Sequence, residues 1–132
     1  MSARRRRRGY ALGACALLLG ACGGGAPEQV VSEFPSQEGD YRLRLTLESG
    51  GEAGHPHRLR VYLLPRGEET PGEAVAATTV ENDGSPFTGD QVRLSWAARR
   101  TVLVCVTPRG AARHGLRIEL SEPPLVEELP RC

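Results

Sequence analysis

The feature that most constrains the fold is a strict alternation of apolar and polar side chains in short segments. Over residues 41–48 (YRLRLTLE) every second position is apolar, and residues 58–64 (RLRVYLL) repeat the alternation after a glycine-rich turn. A period of two places the apolar side chains on one face of an extended strand. Because both segments carry arginine at polar positions, they are predicted to be adjacent antiparallel strands whose outer face meets water.

Four weaker segments continue the strand pattern toward the C-terminus. Residues 91–96 and 116–120 alternate, and residues 101–107 are apolar on both faces. Residues 73–80 end in a Val/Thr run that favours a strand, and a short helix is the alternative there. Six short strands between Gly/Pro turns predict an all-β domain: a small antiparallel β-sandwich, immunoglobulin-like or transthyretin-like, with an open barrel as the alternative. The single tryptophan, Trp96, is expected to fill its core.

The N-terminus has the organisation of an export signal. Five arginines, residues 4–8, precede an apolar stretch over residues 10–21, which is shorter than the roughly 20 residues that a spanning helix needs. The stretch ends in Leu-Gly-Ala before Cys22, which resembles the lipobox of bacterial lipoprotein precursors. That resemblance implies a signal peptide over residues 1–21 and acylation of Cys22. An ordinary cleaved signal without lipid is the alternative.

The lipobox resemblance also implies a location. The bilayer becomes a predicted partner through acylated Cys22, and Gly23 in place of Asp favours the outer membrane, facing the periplasm, by resemblance to enterobacterial sorting. Residues 22–39 are polar and interrupted by proline, so they are predicted to form the lipidated N-terminus and a flexible tether. Residues 40–132 are predicted to form the folded β-sandwich domain.

The charge balance argues against a nucleic-acid partner. Five of the 17 basic residues lie in the predicted signal, which leaves 12 against 16 acidic residues and a formal charge of −4. Four of the arginines recur on the polar face of the first two strands: Arg42, Arg44, Arg58 and Arg60. This stripe is either a binding face for an acidic partner or anionic headgroups, or a solvated outer face neutralised by neighbours such as Glu48, and the second interpretation is favoured.

Two cysteines remain in the predicted mature chain beyond Cys22. Cys105 and Cys132 are most economically paired as one disulfide in an exported domain. Cys105 lies on the face of its strand opposite Val102, Val104 and Val106. The tail over residues 121–132 is therefore predicted to fold back over that face and deliver Cys132, with hydrophobic anchors at Leu125, Val126 and Leu129.

The histidines offer the one compact set of candidate metal ligands. His55 and His57 are two residues apart in a turn, and His114, from a distant segment, is the candidate third ligand. Histidines beside Gly and Pro are usually solvated turn residues, so no metal is predicted and the three are retained as an alternative. No serine lies in a G-x-S-x-G elbow, and neither Cys105 nor Cys132 has a neighbouring histidine. The chain is predicted not to be an enzyme, and no cofactor is expected.

One family resemblance touches the β domain. Residues 43–49 (LRLTLES), followed after a polar turn by residues 58–65 (RLRVYLLP), resemble the opening strands of the outer-membrane lipoprotein of type VI secretion systems. In that family a sandwich hangs from the lipid anchor and holds an inner-membrane protein. The leading prediction is thus an envelope lipoprotein with a non-catalytic binding or scaffolding domain and a protein partner. The alternative is a metal-binding periplasmic protein that uses its loop histidines.

Overall fold

The computed structural model describes residues 27–132, so Cys22 and the predicted signal peptide lie outside the described part of the chain. The described residues form eight β-strands and a 3₁₀ turn at Gly89–Gln91, and they contain no helix long and apolar enough to cross a membrane. The strands are β1 (Glu28–Pro35), β2 (Tyr41–Glu48), β3 (His57–Pro65), β4 (Ala76–Val80), β5 (Val92–Ala98), β6 (Thr101–Val106), β7 (His114–Glu119) and β8 (Leu125–Leu129).

The strands form two antiparallel four-stranded sheets, and each sheet follows chain order. Sheet A has the order β1-β2-β3-β4, and sheet B has the order β5-β6-β7-β8. The predicted β-sandwich is therefore confirmed. Its topology differs from the two named types, because immunoglobulin-like and transthyretin-like sandwiches use Greek-key connections. Here every strand pairs with its sequence neighbour, and the chain passes between sheets once, from Val80 to Val92.

An aliphatic core fills the space between the sheets. The alternating positions of β2 and β3 face those of β6 and β7, as the two patterns predict. The fully buried side chains from these four strands include Leu43, Leu45, Leu59, Val61, Val102, Val104, Leu116 and Ile118. Trp96 is only half-buried at the margin, where its ring meets Tyr41 edge to face with centroids 5.9 Å apart. The prediction that tryptophan fills the core is wrong, because branched aliphatic side chains already fill it.

The segment predicted to be a tether contains a strand. Residues 28–35 form β1 and pair with β2 along its whole length, so the sandwich begins at Glu28 and not at Asp40. A bulge between Val30 and Ser32 inserts one residue, which places Val30 outside and Val31 against the core. Because this extra residue shifts the register, the sequence shows no sustained period of two.

The C-terminal tail also has a different place from the one predicted. Residues 125–129 do not cover the outer face of β6; they form β8, the edge strand beside β7. Leu125 and Val126 are exposed on this edge, at 59% and 43% of their surface, and so do not act as core anchors. The strand predicted over residues 73–80 is present as β4, and no helix forms there.

Candidate functional site

A disulfide joins the tail to the middle of sheet B. Cys105 and Cys132 are bonded, with Cα atoms 5.6 Å apart, which confirms the predicted pair. Gly115 of β7 lies directly beside Cys105 in the register, and a Cβ at that position would lie 2.7 Å from the Val104 carbonyl oxygen and 3.3 Å from the Cys132 sulfur. The tail therefore reaches Cys105 across a position that only glycine leaves open.

A cavity of about 540 Å³ opens on the outer face of sheet B beside this disulfide. We call it the basin. Leu103, Leu129 and the disulfide supply its apolar surface. Its polar lining consists of Asp90, Arg93, Ser95, Thr107, Arg113 and Arg131. The basin thus combines a hydrophobic surface, held by a covalent cross-link, with a set of positive charges.

The arginines of the basin have no carboxylate partner among the described residues. Every ion pair within residues 27–132 involves other arginines, namely 42, 44, 60, 99 and 117. Asp90 supplies the single acidic side chain of the lining, and a hydrogen bond with the Thr88 side chain is the main cause that lowers its pKa. Counted over side chains alone, Arg93, Arg113 and Arg131 against an ionised Asp90 give the basin a formal charge of +2 at neutral pH.

The arginine stripe of sheet A, in contrast, is largely neutralised. Arg44 Nε lies 2.6 Å from Glu33 Oε1, and Arg42 Nη2 lies 3.0 Å from Glu69 Oε2. Arg42 and Arg44 also donate to the backbone carbonyls of Glu68 and Glu69, so the β3–β4 loop covers this end of the face. Most of the predicted stripe is therefore occupied by internal ion pairs and is not free for an acidic partner.

The other half of this network is centred on Glu28, the first residue of β1. Its carboxylate pairs with Arg60 and accepts hydrogen bonds from Thr46 Oγ1 and Tyr62 Oη, each at 2.9 Å. Burial alone would raise the pKa of Glu28, but the hydrogen bonds from Tyr62 and Thr46 and the charge of Arg60 outweigh it and hold the pKa below 4.5. Arg60 Nη1 also lies 2.9 Å from Glu48 Oε2. Arg60 therefore links Glu28, at the start of β1, to Glu48 at the end of β2.

The three candidate histidines have separate environments. His55 is exposed, and His114 is half-buried in β7 opposite Val106. His57 is buried, its Nδ1 accepts a hydrogen bond from the Gly50 backbone N–H at 3.1 Å, and its ring meets Phe87 edge to face. Within the described residues no three His, Cys, Asp or Glu side chains are grouped to hold a metal ion. His57 therefore has a structural role at the end of the core.

Sequence reasoning did not find the basin. Arg93, Arg113 and Arg131 are about 20 residues apart along the chain, and the antiparallel register of sheet B, together with the disulfide, brings them to one cavity. One signal was present. Arg131 directly precedes Cys132, so the predicted disulfide already placed an arginine near Cys105.

The basin can act chemically as an anion receptor. Guanidinium groups form bidentate, charge-assisted hydrogen bonds with carboxylates and phosphates, and the apolar surface beside them accepts a hydrophobic group. Comparison of the chain with protein-family models, with curated proteins and with solved structures finds no match.

Proposed function

We propose that this protein is a non-catalytic binding protein of the bacterial cell envelope, anchored through acylated Cys22. Its binding surface is the basin, which holds another envelope component at the membrane surface. The observation that carries the proposal is the set of three arginines without carboxylate partners beside an apolar, disulfide-stapled surface. The lipobox-like residues before Cys22 support the anchor.

The early start of β1 sharpens the proposal. Five residues, 23–27, separate Cys22 from Glu28, and the six residue steps from Cys22 to Glu28 span at most about 22 Å. An acylated Cys22 would therefore hold the sandwich close to the bilayer. A Cβ added to Gly89 would lie 3.8 Å from the Val31 carbonyl oxygen, so the end of sheet B that carries Arg93 lies beside β1. The end of the basin that contains Arg93 would then lie near the strand that follows the anchor.

The anchor is tested by Cys22→Ser in the full-length precursor. Several acyl chains on one cysteine give stable anchoring because each buried methylene contributes about 0.8 kcal/mol. We expect the variant to lose its acyl mass and either to leave the membrane fraction or to accumulate unprocessed. Cys15→Ser, inside the predicted signal, is the matched control and should fractionate as wild type. Unchanged mass and fractionation of the Cys22 variant would contradict the anchor.

The binding surface is tested by photocrosslinking in intact cells. A benzophenone amino acid replaces Ser95, an exposed residue of the basin, and in a control protein it replaces Arg66, an exposed residue of the turn after β3. We expect a reproducible crosslinked product from position 95 and none from position 66, with its mass showing whether the component is a lipid or a protein. Equal labelling from both positions, or none from either, would overturn the basin as the binding surface.

A further inference from the structure

We infer that the ligand of the basin is an anionic amphiphile: a phosphate or carboxylate head on an aliphatic chain. This inference rests on the proposed function, because it names the ligand class of the same site. It follows from the distribution of charge and apolar surface within the basin. It does not depend on whether the amphiphile is a membrane lipid or a free molecule.

The charged and apolar parts of the basin lie side by side on the outer face of sheet B. Arg93, Cys105, Gly115 and Leu129 occupy one row across sheet B, and the next row, farther from the β4–β5 connection, contains Leu103 between Ser95 and Arg117. Arg117 is paired with Glu127 at 3.8 Å, so that row adds no free charge. The apolar surface therefore runs from Leu129 and the disulfide, in the row of Arg93, to Leu103 in the next row, and the free positive charge lies beside it.

The head group is specified by the arginines. Three guanidinium groups around one cavity exceed what a single carboxylate needs, and they suit a phosphate, which accepts bidentate hydrogen bonds on several oxygens. The one acidic side chain of the lining, Asp90, offsets only one of these three charges. A neutral head group would leave these charges without a partner.

The chain is specified by Leu103, Leu129 and the disulfide. These groups form an apolar surface on an exposed face of the sheet, next to unpaired charge. The volume of about 540 Å³ lies within the 300–1,000 Å³ of ordinary small-molecule sites, so it accepts a head and a short length of chain. An acidic protein segment would satisfy the arginines but would not require the apolar surface behind them, so an amphiphile fits better.

The test uses the mature chain without its lipid, residues 22–132 with Cys22→Ser, after a thermal melt and a mass measurement confirm folding and the disulfide. Titration calorimetry with monomeric dodecyl phosphate should show saturable one-to-one binding. Inorganic phosphate and dodecyl maltoside, which supply the head or the chain alone, should each bind at least tenfold more weakly. Each chain methylene that becomes buried should raise the affinity about fourfold, from 0.8 kcal/mol per methylene.

A charge-matched pair of variants separates the basin from general electrostatics. Arg93→Gln with Arg131→Gln should weaken dodecyl phosphate binding at least tenfold. Arg58→Gln with Arg66→Gln removes two exposed charges outside the basin and should leave the affinity unchanged. Equal losses in both variants, or no saturable binding in the wild type, would overturn the inference.

Two further results identify the source of the ligand and separate this inference from the proposed function. Sedimentation with phosphatidylglycerol vesicles, but not with phosphatidylcholine vesicles, would identify the amphiphile as a bilayer lipid. Binding of dodecyl phosphate without vesicle binding would identify a free amphiphile. A protein crosslinked at position 95, together with no dodecyl phosphate binding, would show the ligand class to be wrong while the proposed function stands.

Discussion

The imidazole of His57 closes the end of the sandwich where the β2–β3 turn returns to the sheet. It is 6% exposed, it accepts the Gly50 N–H, and it packs against Phe87. A Cβ on Gly50 would lie 2.0 Å from the His55 carbonyl oxygen, so glycine at that position allows the turn to approach its own backbone. One polar side chain thus pairs with a part-buried backbone donor of the turn that would otherwise lack a partner.

At this residue scale we predict opposite outcomes for two neighbouring histidines. His57→Ala leaves a cavity beside Phe87 and the Gly50 N–H without its partner, and it should destabilise the protein by about 2–4 kcal/mol. His55→Ala removes an exposed side chain and should change the free energy of unfolding by less than about 0.5 kcal/mol. Urea unfolding of both variants measures the difference. Equal effects would contradict the structural role of His57, and a zinc-dependent rise in wild-type melting temperature would restore the metal alternative.

At the scale of elements, β1 depends on charge as much as on apolar contact. It is the edge strand of sheet A, and Val30 at its start is 57% exposed. Glu28 and Glu33 hold it through Arg60, Arg42 and Arg44 on the neighbouring strands. Partly exposed ion pairs are each worth at most about 1 kcal/mol. The edge is therefore stabilised by several pairs acting together.

The lowered pKa of Glu28 predicts an acid-sensitive strand. A carboxyl whose pKa is lower in the folded state stabilises the fold fully above its unfolded value of 4.5, and this stabilisation is lost as the pH falls through the folded pKa. Glu28→Gln should cost at most about 1 kcal/mol at pH 7 and should remove part of the stability change below pH 4.5. Unfolding curves between pH 7 and pH 3 provide the measurement. Glu122→Gln, at an exposed position, should retain the wild-type profile. If the Glu28 and Glu122 variants have identical profiles, Glu28 does not make β1 sensitive to acid.

At the scale of the whole molecule, the two sheets stabilise each other although they share few connections. Neither sheet has any other apolar layer for its inner face among the described residues, so the Leu and Val side chains of sheet A pack only against those of sheet B. The disulfide adds a restraint within sheet B by linking residues 27 positions apart, worth about 3–4 kcal/mol by loop closure. The molecule should therefore unfold as one unit.

We predict that a cavity in either sheet destabilises both sheets equally. Leu45→Ala in β2 and Leu116→Ala in β7 each remove a side chain that is at most 1% exposed and should cost about 2–5 kcal/mol. Trp96 fluorescence reports on sheet B, and amide exchange in β2 and β3 reports on sheet A. In both variants the free energy of unfolding should fall by the same amount whether it is measured by fluorescence or by amide exchange. Leu125→Ala at the exposed edge should have little effect. Separate transitions for the two sheets would disprove the shared core.

The sequence by itself determined the local features of this protein. The alternation in residues 41–48 and 58–64 established two paired strands and their inward faces, because a strand repeats every two residues whatever surrounds it. Cysteine arithmetic identified the Cys105–Cys132 pair, because two thiols allow one connectivity. A neutralised polar face on β2 and β3 was likewise favoured from the sequence because of Glu48, although the other glutamates that pair with its arginines come from β1 and the β3–β4 loop.

The tertiary structure decided what depends on partners distant in sequence. Residues 28–35 form a strand because they pair with the edge of β2 and form ion pairs with Arg60 and Arg44. The bulge after Val30 breaks the period of two, so the sequence pattern did not predict this strand. Sheet order, the marginal place of Trp96 and the edge position of β8 followed from packing. The basin exists because register and a disulfide bring separate arginines to one cavity. Local propensity acts over a few residues, whereas a binding site is formed by contacts across the whole chain.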